Sequence, residues 1–234
     1  MELSLVIPAY NESGILSDTL RTVCAALSPL AQDFEILVVD DGSTDATADT
    51  VRAFPDPRVR LVSYAPNRGK GCAVRTGMLE CAGEKILCTD ADLAYGTGAF
   101  GAFLAALDDH DLAVGSRRLH PDGYRDYPPV RLLASRCFGL AARLCSGLPY
   151  DTQCGIKAYR RDAAREIFRR CTTDGFAFDF EVLLRARRGG YRVAQIPAAV
   201  VNHRDSKVRL VRDSLRMFTD VVRIRRRVMR EEPA

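Results

Sequence analysis

Two aspartates separated by one residue close a strand-like apolar run in EKILCTDADLAYG, residues 84–96. Carboxylates as near as Asp90 and Asp92 repel, and each raises the other's pKa. A chain tolerates such a pair where a cation sits between them or where water screens both. A second acidic pair, the adjacent Asp40 and Asp41, ends the apolar run FEILVV. Asp92 is a hard oxygen donor suited to Mg2+ or Mn2+ bridging the oxygens of a diphosphate. Asp90 is placed to orient a ribose or to support the metal from behind. Asp41 is placed to accept hydrogen bonds from a base or ribose. The plainer alternative is that Asp40 and Asp90 only cap the turns that follow them. Recurrence at two strand ends favours the first reading, in which the cation between the acids arrives with the ligand.

The elements that must position these acids alternate. LSLVIPAY, FEILVVDD, Val59–Val62, KILC and DLAVGS read as strands. ESGILSDTLRTVCAAL, ATADTVRAF, the helix fed by NRGKG, and GTGAFGAFLAALDD read as helices between them. Wholly apolar strands alternating with helices indicate an α/β fold with a mostly parallel sheet covered on both faces. In such sheets ligands bind outside the carboxyl ends of the strands, where the acids and glycines fall. After residue 119 the pattern loosens. VRLLASRCFGLAARLCSGL reads as a helix, DTQCGIKAYRR as a turn into a short strand, and GFAFDFEVLLRARRGG as a helix closed by Gly189 and Gly190. The expected organisation is one domain over 1–206, with halves 1–118 and 119–206, and a basic amphipathic C-terminal helix over 207–234.

The chain has 234 residues, 47% of them apolar and 27% charged, as in ordinary globular proteins. Its net charge of +4 is uneven. Between Arg204 and Arg230 ten Lys and Arg face three Asp, a local +7, which leaves the remainder at −3. That tail suits nucleic acid, an anionic lipid surface or a phosphorylated ligand, or is a solvated face. Its apolar stripe, Leu210, Leu215, Phe218 and Val222, would lie on lipid or pack on the core. Eight cysteines without CxxC or metal-ligand spacing read as buried reduced thiols in a reducing compartment. MELSLVIPAY enters a strand pattern at once, so no signal peptide is expected. No apolar stretch approaches the roughly 20 residues that span a bilayer. The expectation is a cytoplasmic protein, peripheral on the membrane face where lipid is involved.

VIPAYNE, VVDDGSTD, NRGKG, TDADL, VGSR and DTQCGIKAY occur in this order. Together, over about residues 1–210, they resemble family-two glycosyltransferases with the Rossmann-like GT-A fold. More narrowly, they are similar to the dolichyl- or polyprenyl-phosphate glucosyl- and mannosyltransferases. The resemblance implies that Pro8, Ala9, Tyr10, Glu12, Val39 and Asp41 line the nucleotide base and ribose. It implies that Asp90 and Ala91 contact the nucleotide and that Asp92 holds Mg2+ or Mn2+. Arg117, Arg131 and Ser135 would receive the acceptor phosphate, and Lys207, with Arg204 nearby, would neutralise the donor diphosphate. Ala94 stands where mannosyl-phosphate synthases of this group often carry a ligating Gln. The transmembrane helices of many relatives and the QxxRW motif of processive synthases are absent.

The implied reaction is inverting transfer of a hexose from a nucleotide sugar, UDP-glucose before GDP-mannose, to a polyprenyl or dolichyl phosphate. A phosphate acceptor is already an anion and needs no general base. For a hydroxyl acceptor, such as a sugar or natural product, Asp151 or Asp179 would supply one. Otherwise they organise the acceptor loop, and Glu181 faces solvent. A non-catalytic nucleotide-sugar sensor or nucleic-acid-binding protein is the remaining alternative, disfavoured because acidic strand ends repel nucleic acid phosphates.

Overall fold

Every residue of β1 (Leu3–Ala9) and β2 (Phe34–Asp41) is buried, as continuous apolar runs require of strands covered on both faces. The computed structural model describes residues 1–124, 139, 143, 147–202 and 210–231, and for 210–218 the backbone alone. The remaining strands are β3 (Val59–Tyr64), β4 (Lys85–Cys88), β5 (Leu112–Ser116), β6 (Lys157–Arg160) and β7 (Val193–Pro197). They form one seven-stranded sheet in the order β3-β2-β1-β4-β6-β5-β7. The pairs β1–β2, β1–β4, β2–β3 and β5–β7 are parallel. β6 runs antiparallel to both neighbours. The short strand expected within DTQCGIKAYRR is therefore present and inserts against the prevailing direction, because residues 150–156 return across the carboxyl edge and enter β6 from that end.

α1 (Ser13–Leu27) buries Leu16, Leu20, Val23 and Leu27 at helical spacing. These side chains pack with Leu5, Ile7, Ile36 and Val38 and with Phe100 and Phe103 of α4 (Phe100–Ala106). Each fully buried leucine removes apolar surface from water at a gain of roughly 1.5–3 kcal/mol. On the other face Val6, Leu37 and Val39 meet α3 (Lys70–Glu80), α5 (Arg161–Arg170) and α6 (Phe178–Arg188). α2 (Thr47–Arg52) follows β2. α6 stops at Gly189, and Gly190 takes a left-handed φ of 72°, matching the expected Gly-Gly stop.

The last helix, α7 (Leu210–Arg230), joins this second core through Val221, Ile224 and Val228, all buried. Of the two fates open to its stripe, packing is the one seen over residues 219–231. The stripe is also differently phased: Val222 is half-buried, and Leu210, Leu215 and Phe218 lie outside the described side chains. Arg223, Arg225, Arg226 and Arg230 are exposed. Among the described residues no helix is long and apolar enough to cross a membrane. Cys72, Cys81, Cys88, Cys154 and Cys171 are buried free thiols, as expected, while Cys24 is half-buried.

Glu181 corrects the expectation of a solvent-facing acid. It is fully buried in α6. Its carboxylate accepts the N–H groups of Thr172 and Thr173 and the guanidinium groups of Arg185 and Arg227. Arg185 in turn binds Glu231 at 2.6 Å. Two arginines and two backbone donors supply what water would otherwise have given the charge.

Candidate active site

The carboxyl ends of β1 and β2 lie side by side, with Pro8 opposite Val39 and Ala9 opposite Asp40. The two turns beyond them are knitted together. Asn11 N–H donates to Ser43 Oγ at 2.9 Å, Thr44 N–H to Asn11 Oδ1 at 2.8 Å, and Glu12 N–H to Thr47 Oγ1 at 2.8 Å. Pro8, Ala9 and Val39 are buried, Glu12 is half-buried, and Tyr10 is 40% exposed at the rim. Asp40 accepts from Ser43 N–H and Ser63 Oγ. It caps its turn, as the plainer reading of this acid required.

Asp41 is buried and accepts four side-chain-directed hydrogen bonds. Tyr64 Oη and Arg68 N–H donate to Oδ1, and Asn67 Nδ2 and Gly69 N–H to Oδ2, all at 2.8–2.9 Å. Its carboxylate was expected to meet a base or ribose. In the structure those lone pairs are taken by Tyr64 of β3 and by three donors of the NRGKG loop. That loop is tightly seated: a Cβ on Gly69, whose φ is +109°, would come within 2.5 Å of Asp174 O, and one on Gly71 within 2.4 Å of Thr173 O. The path from Asp41 leads directly to the first residue of α3, Lys70.

Lys70 Nζ lies 2.5 Å from Asp90 Oδ1 at the end of β4. Burial works against its charge, but Asp90 and Asp179 outweigh it and hold the ammonium well above its usual pKa. Asp90 does more than cap a turn. The chain then bends sharply: Leu93 N–H donates to Asp90 O at 3.1 Å, Ala94 N–H to Asp92 Oδ1 at 3.0 Å, and Leu93 adopts φ +47°. A left-handed leucine is an uncommon conformation, of the kind that gathers at ligand sites. Ala91 is buried and its carbonyl accepts from Thr19. Asn202 crosses over this turn, Nδ2 donating to Leu93 O at 3.0 Å.

Burial raises the Asp92 pKa, and the charges of Asp90 and Glu12 raise it further. Glu12, Asp90, Asp92 and Asp179 bring four negative charges to the described cluster, and Lys70 and Lys157 return two. With these groups ionised the cluster is net negative, and Asp92 is a hard oxygen donor of the kind that could hold a divalent cation. Among the described residues no three acidic, His or Cys side chains converge as a ready-made cage. A metal held here would therefore draw most of its oxygens from phosphate and water, a mode that suits Mg2+.

Arg117, expected to receive an acceptor phosphate, is buried, and its guanidinium grips Asp151 through Nε and Nη2, both at 2.8 Å. Arg117 N–H adds a third bond at 3.2 Å. The fork that was to meet a phosphate thus clamps the 149–153 loop. Arg117 holds the Asp151 carboxyl below its usual range despite burial. Lys157 Nζ lies 2.7 Å from Asp179 Oδ1. Burial raises the Asp179 pKa, opposed by Lys157 and Lys70. Gly155 leaves room for the Asp90 carboxylate: a Cβ there would sit 2.3 Å from Asp90 Oδ2. Arg131, Ser135, Arg204 and Lys207 lie outside the described residues. Lys70, Lys157 and Asn202 were not singled out from sequence. The two lysines stand inside recognised motifs, which is the signal that was available.

A mostly parallel sheet with acids on adjacent carboxyl ends, and a glycine loop facing them, is the GT-A arrangement of nucleotide-sugar enzymes. The pattern defining glycosyl transferase family 2 matches residues 4–168, and the chain belongs to this family. It is 34% identical to a dolichyl-phosphate beta-glucosyltransferase of Trichomonas vaginalis, covering 94% of this chain and 70% of that one. It is 32% identical to the dolichyl-phosphate beta-glucosyltransferase of Dictyostelium discoideum, covering 97% and 75%. Among solved structures it resembles glucosyl-3-phosphoglycerate synthase from Mycobacterium tuberculosis in complex with Mn2+, UDP-glucose and phosphoglyceric acid. That match has a TM-score of 0.71 at 21% identity, over 96% of this chain and 79% of that one. At that identity the likeness shows the fold.

Proposed function

We propose that the protein transfers glucose from UDP-glucose to a polyprenyl phosphate, with inversion at C1. The names of the relatives support both the sugar and the acceptor. The observation that carries the acceptor class is the state of the two candidate bases: Asp151 is clamped by Arg117 and Asp179 by Lys157. A hydroxyl acceptor needs a carboxylate ready to take its proton, whereas a phosphate at pH 7 needs none.

In this reading Pro8, Ala9, Tyr10, Glu12 and Val39 flank the base and ribose. Asp41 serves them through the NRGKG loop, and Asp90 and Ala91 border the nucleotide. Asp92 would hold Mg2+ or Mn2+, which would supply positive charge against the diphosphate. Arg204 and Lys207 add cationic charge at the donor diphosphate, and Arg131 and Ser135 receive the acceptor. Arg117 contributes by fixing the loop that borders it. A phosphate oxygen attacks C1, the bond from C1 to the diphosphate oxygen breaks, and its electron pair leaves on UDP. The chain's own task is alignment and charge compensation. The exposed arginines of α7 offer an anionic bilayer about 1 kcal/mol each near its surface, which fits peripheral binding. Mass-detected transfer from UDP-glucose to farnesyl phosphate tests the proposal. Product formation only with hydroxyl acceptors would overturn it.

A further inference from the structure

Lys157 and Asp179 form an ion pair whose side chains are 3% and 11% exposed. So buried a pair is weak evidence for stability, because desolvation offsets the attraction. Its location is more informative. Lys157 stands in β6 opposite Cys88 of β4 and Val114 of β5. It is two residues beyond Gly155, whose backbone abuts the Asp90 carboxylate. Lys157 Nζ also donates to Cys154 O at 2.5 Å, so the ammonium is fixed from two sides. Asp179, in the first turn of α6, is close enough to Lys70 and Asp90 for their charges to act on it. A carboxylate therefore sits within the charged cluster around Asp90, and a lysine occupies it.

We infer that Lys157 is a specificity-determining residue. By holding Asp179 as its counter-ion, it withholds the base that water or an alcohol requires and leaves the site to acceptors that arrive as anions. This role, which rests on the phosphate-acceptor reading, has a chemical consequence. With Lys157 neutralised, the oxygen of water or an alcohol bonds to C1 and its proton passes to the Asp179 carboxylate. The bond from C1 to the diphosphate oxygen breaks, UDP leaves with the electron pair, and Asp179 returns its proton to solvent.

The experiment compares the full chain with Lys157→Gln, Asp179→Asn and the double variant, supplied with UDP-glucose, Mn2+ and either farnesyl phosphate or glycerol. General bases contribute roughly 10²–10⁴-fold, so Lys157→Gln is expected to raise hydrolysis and glycerol transfer, relative to phosphate transfer, by at least about tenfold. The gain should follow deprotonation of an acid whose neighbours are Lys70 and Asp90, and it should vanish in the double variant. A folded Lys157→Gln protein with an unchanged product ratio overturns the inference. Should that variant fail to fold, Asp179→Asn decides. Phosphate transfer kept within about threefold supports a counter-ion, and a loss of about a hundredfold makes Asp179 a group that phosphate transfer needs. A wild-type enzyme that ignores farnesyl phosphate and glucosylates glycerol would instead defeat the reading of the reaction itself.

Discussion

Lys70 Nζ sits 2.5 Å from Asp90 Oδ1, so the first acid of the pair has its cation built into the fold. The second is placed differently. Asp92 takes a hydrogen bond from Ala94 N–H but remains in a buried site beside Asp90, and its pKa is raised. Part of the charge the pair requires is thus resident, and under the proposed function the rest arrives with the metal.

That division predicts opposed effects of Asp92→Asn on stability and on metal response. A carboxyl whose folded pKa is raised costs the fold whenever it is ionised. The cost is present at pH 7, fades as pH falls through the folded pKa, and is absent below the unfolded value near 3.8. In chelator at pH 7 the Asn variant should therefore melt a few degrees higher than wild type. Mn2+ should raise the melting temperature of wild type and leave the variant unchanged. A variant that melts lower, or that keeps the Mn2+ shift, would remove Asp92 from the proposed metal site. Thermal melts at pH 7 and pH 4 check both arms.

Gly155→Ala should impair the site while sparing the fold. The new Cβ would meet Asp90 Oδ2 at 2.3 Å and Cγ at 3.1 Å. The side chain has to yield, which pulls Asp90 from Lys70. Misplacement by about 1 Å can cost on the order of 100-fold in rate. The expected result is a 10- to 100-fold loss of kcat/KM, on the order of that cost, with an unchanged circular dichroism spectrum. Full activity in the alanine variant would show that Asp90 need not stay where it is.

Much of the nucleotide side was legible because its determinants are local. Apolar runs ending in Asp40–Asp41 and Asp90–Asp92 announce strand ends, and the glycines of NRGKG announce a turn into a helix. What was hidden depends on contacts distant along the chain. Lys70 reaches Asp90 only because α3 packs behind the sheet and its N-terminus meets the end of β4. The bond from Arg117 to Asp151 spans 34 residues. A strand's direction is not written in its composition, so nothing in KAYR shows that β6 runs antiparallel. Glu181 looked solvated because a charged residue in a helix is usually exposed. Its four partners come from a preceding turn, its own helix and α7.

Arg117→Leu tests the clamp on the acceptor loop. Removing one member of a buried, bidentate pair strands the other charge, at a typical cost of about 3–5 kcal/mol. Asp151 is as buried as its partner, so the full range applies. Urea titration should show that loss, and Arg117→Leu combined with Asp151→Leu should recover much of it. A single variant as stable as wild type, yet unable to use farnesyl phosphate, would restore Arg117 to direct phosphate binding.

Glu181→Gln addresses the seam between α6 and α7. The carboxylate is fully buried and holds Thr172 N–H, Thr173 N–H, Arg185 and Arg227 at once. An amide keeps the shape but loses the charge and replaces one acceptor with a donor aimed at existing donors. Arg185 retains Glu231, while Arg227 keeps Thr173 Oγ1 at 2.9 Å, a neutral partner. The expected loss is about 3 kcal/mol, at the low end for a broken buried pair because Arg185 is still compensated. Proteolysis should locate the damage, since α7 is attached to this face by Val221, Ile224 and Val228 together with these charges. Cleavage after the α7 arginines should quicken before the sheet unfolds. A variant with wild-type stability and protease resistance would mean that apolar contacts alone dock α7, and that the buried carboxylate adds nothing to them.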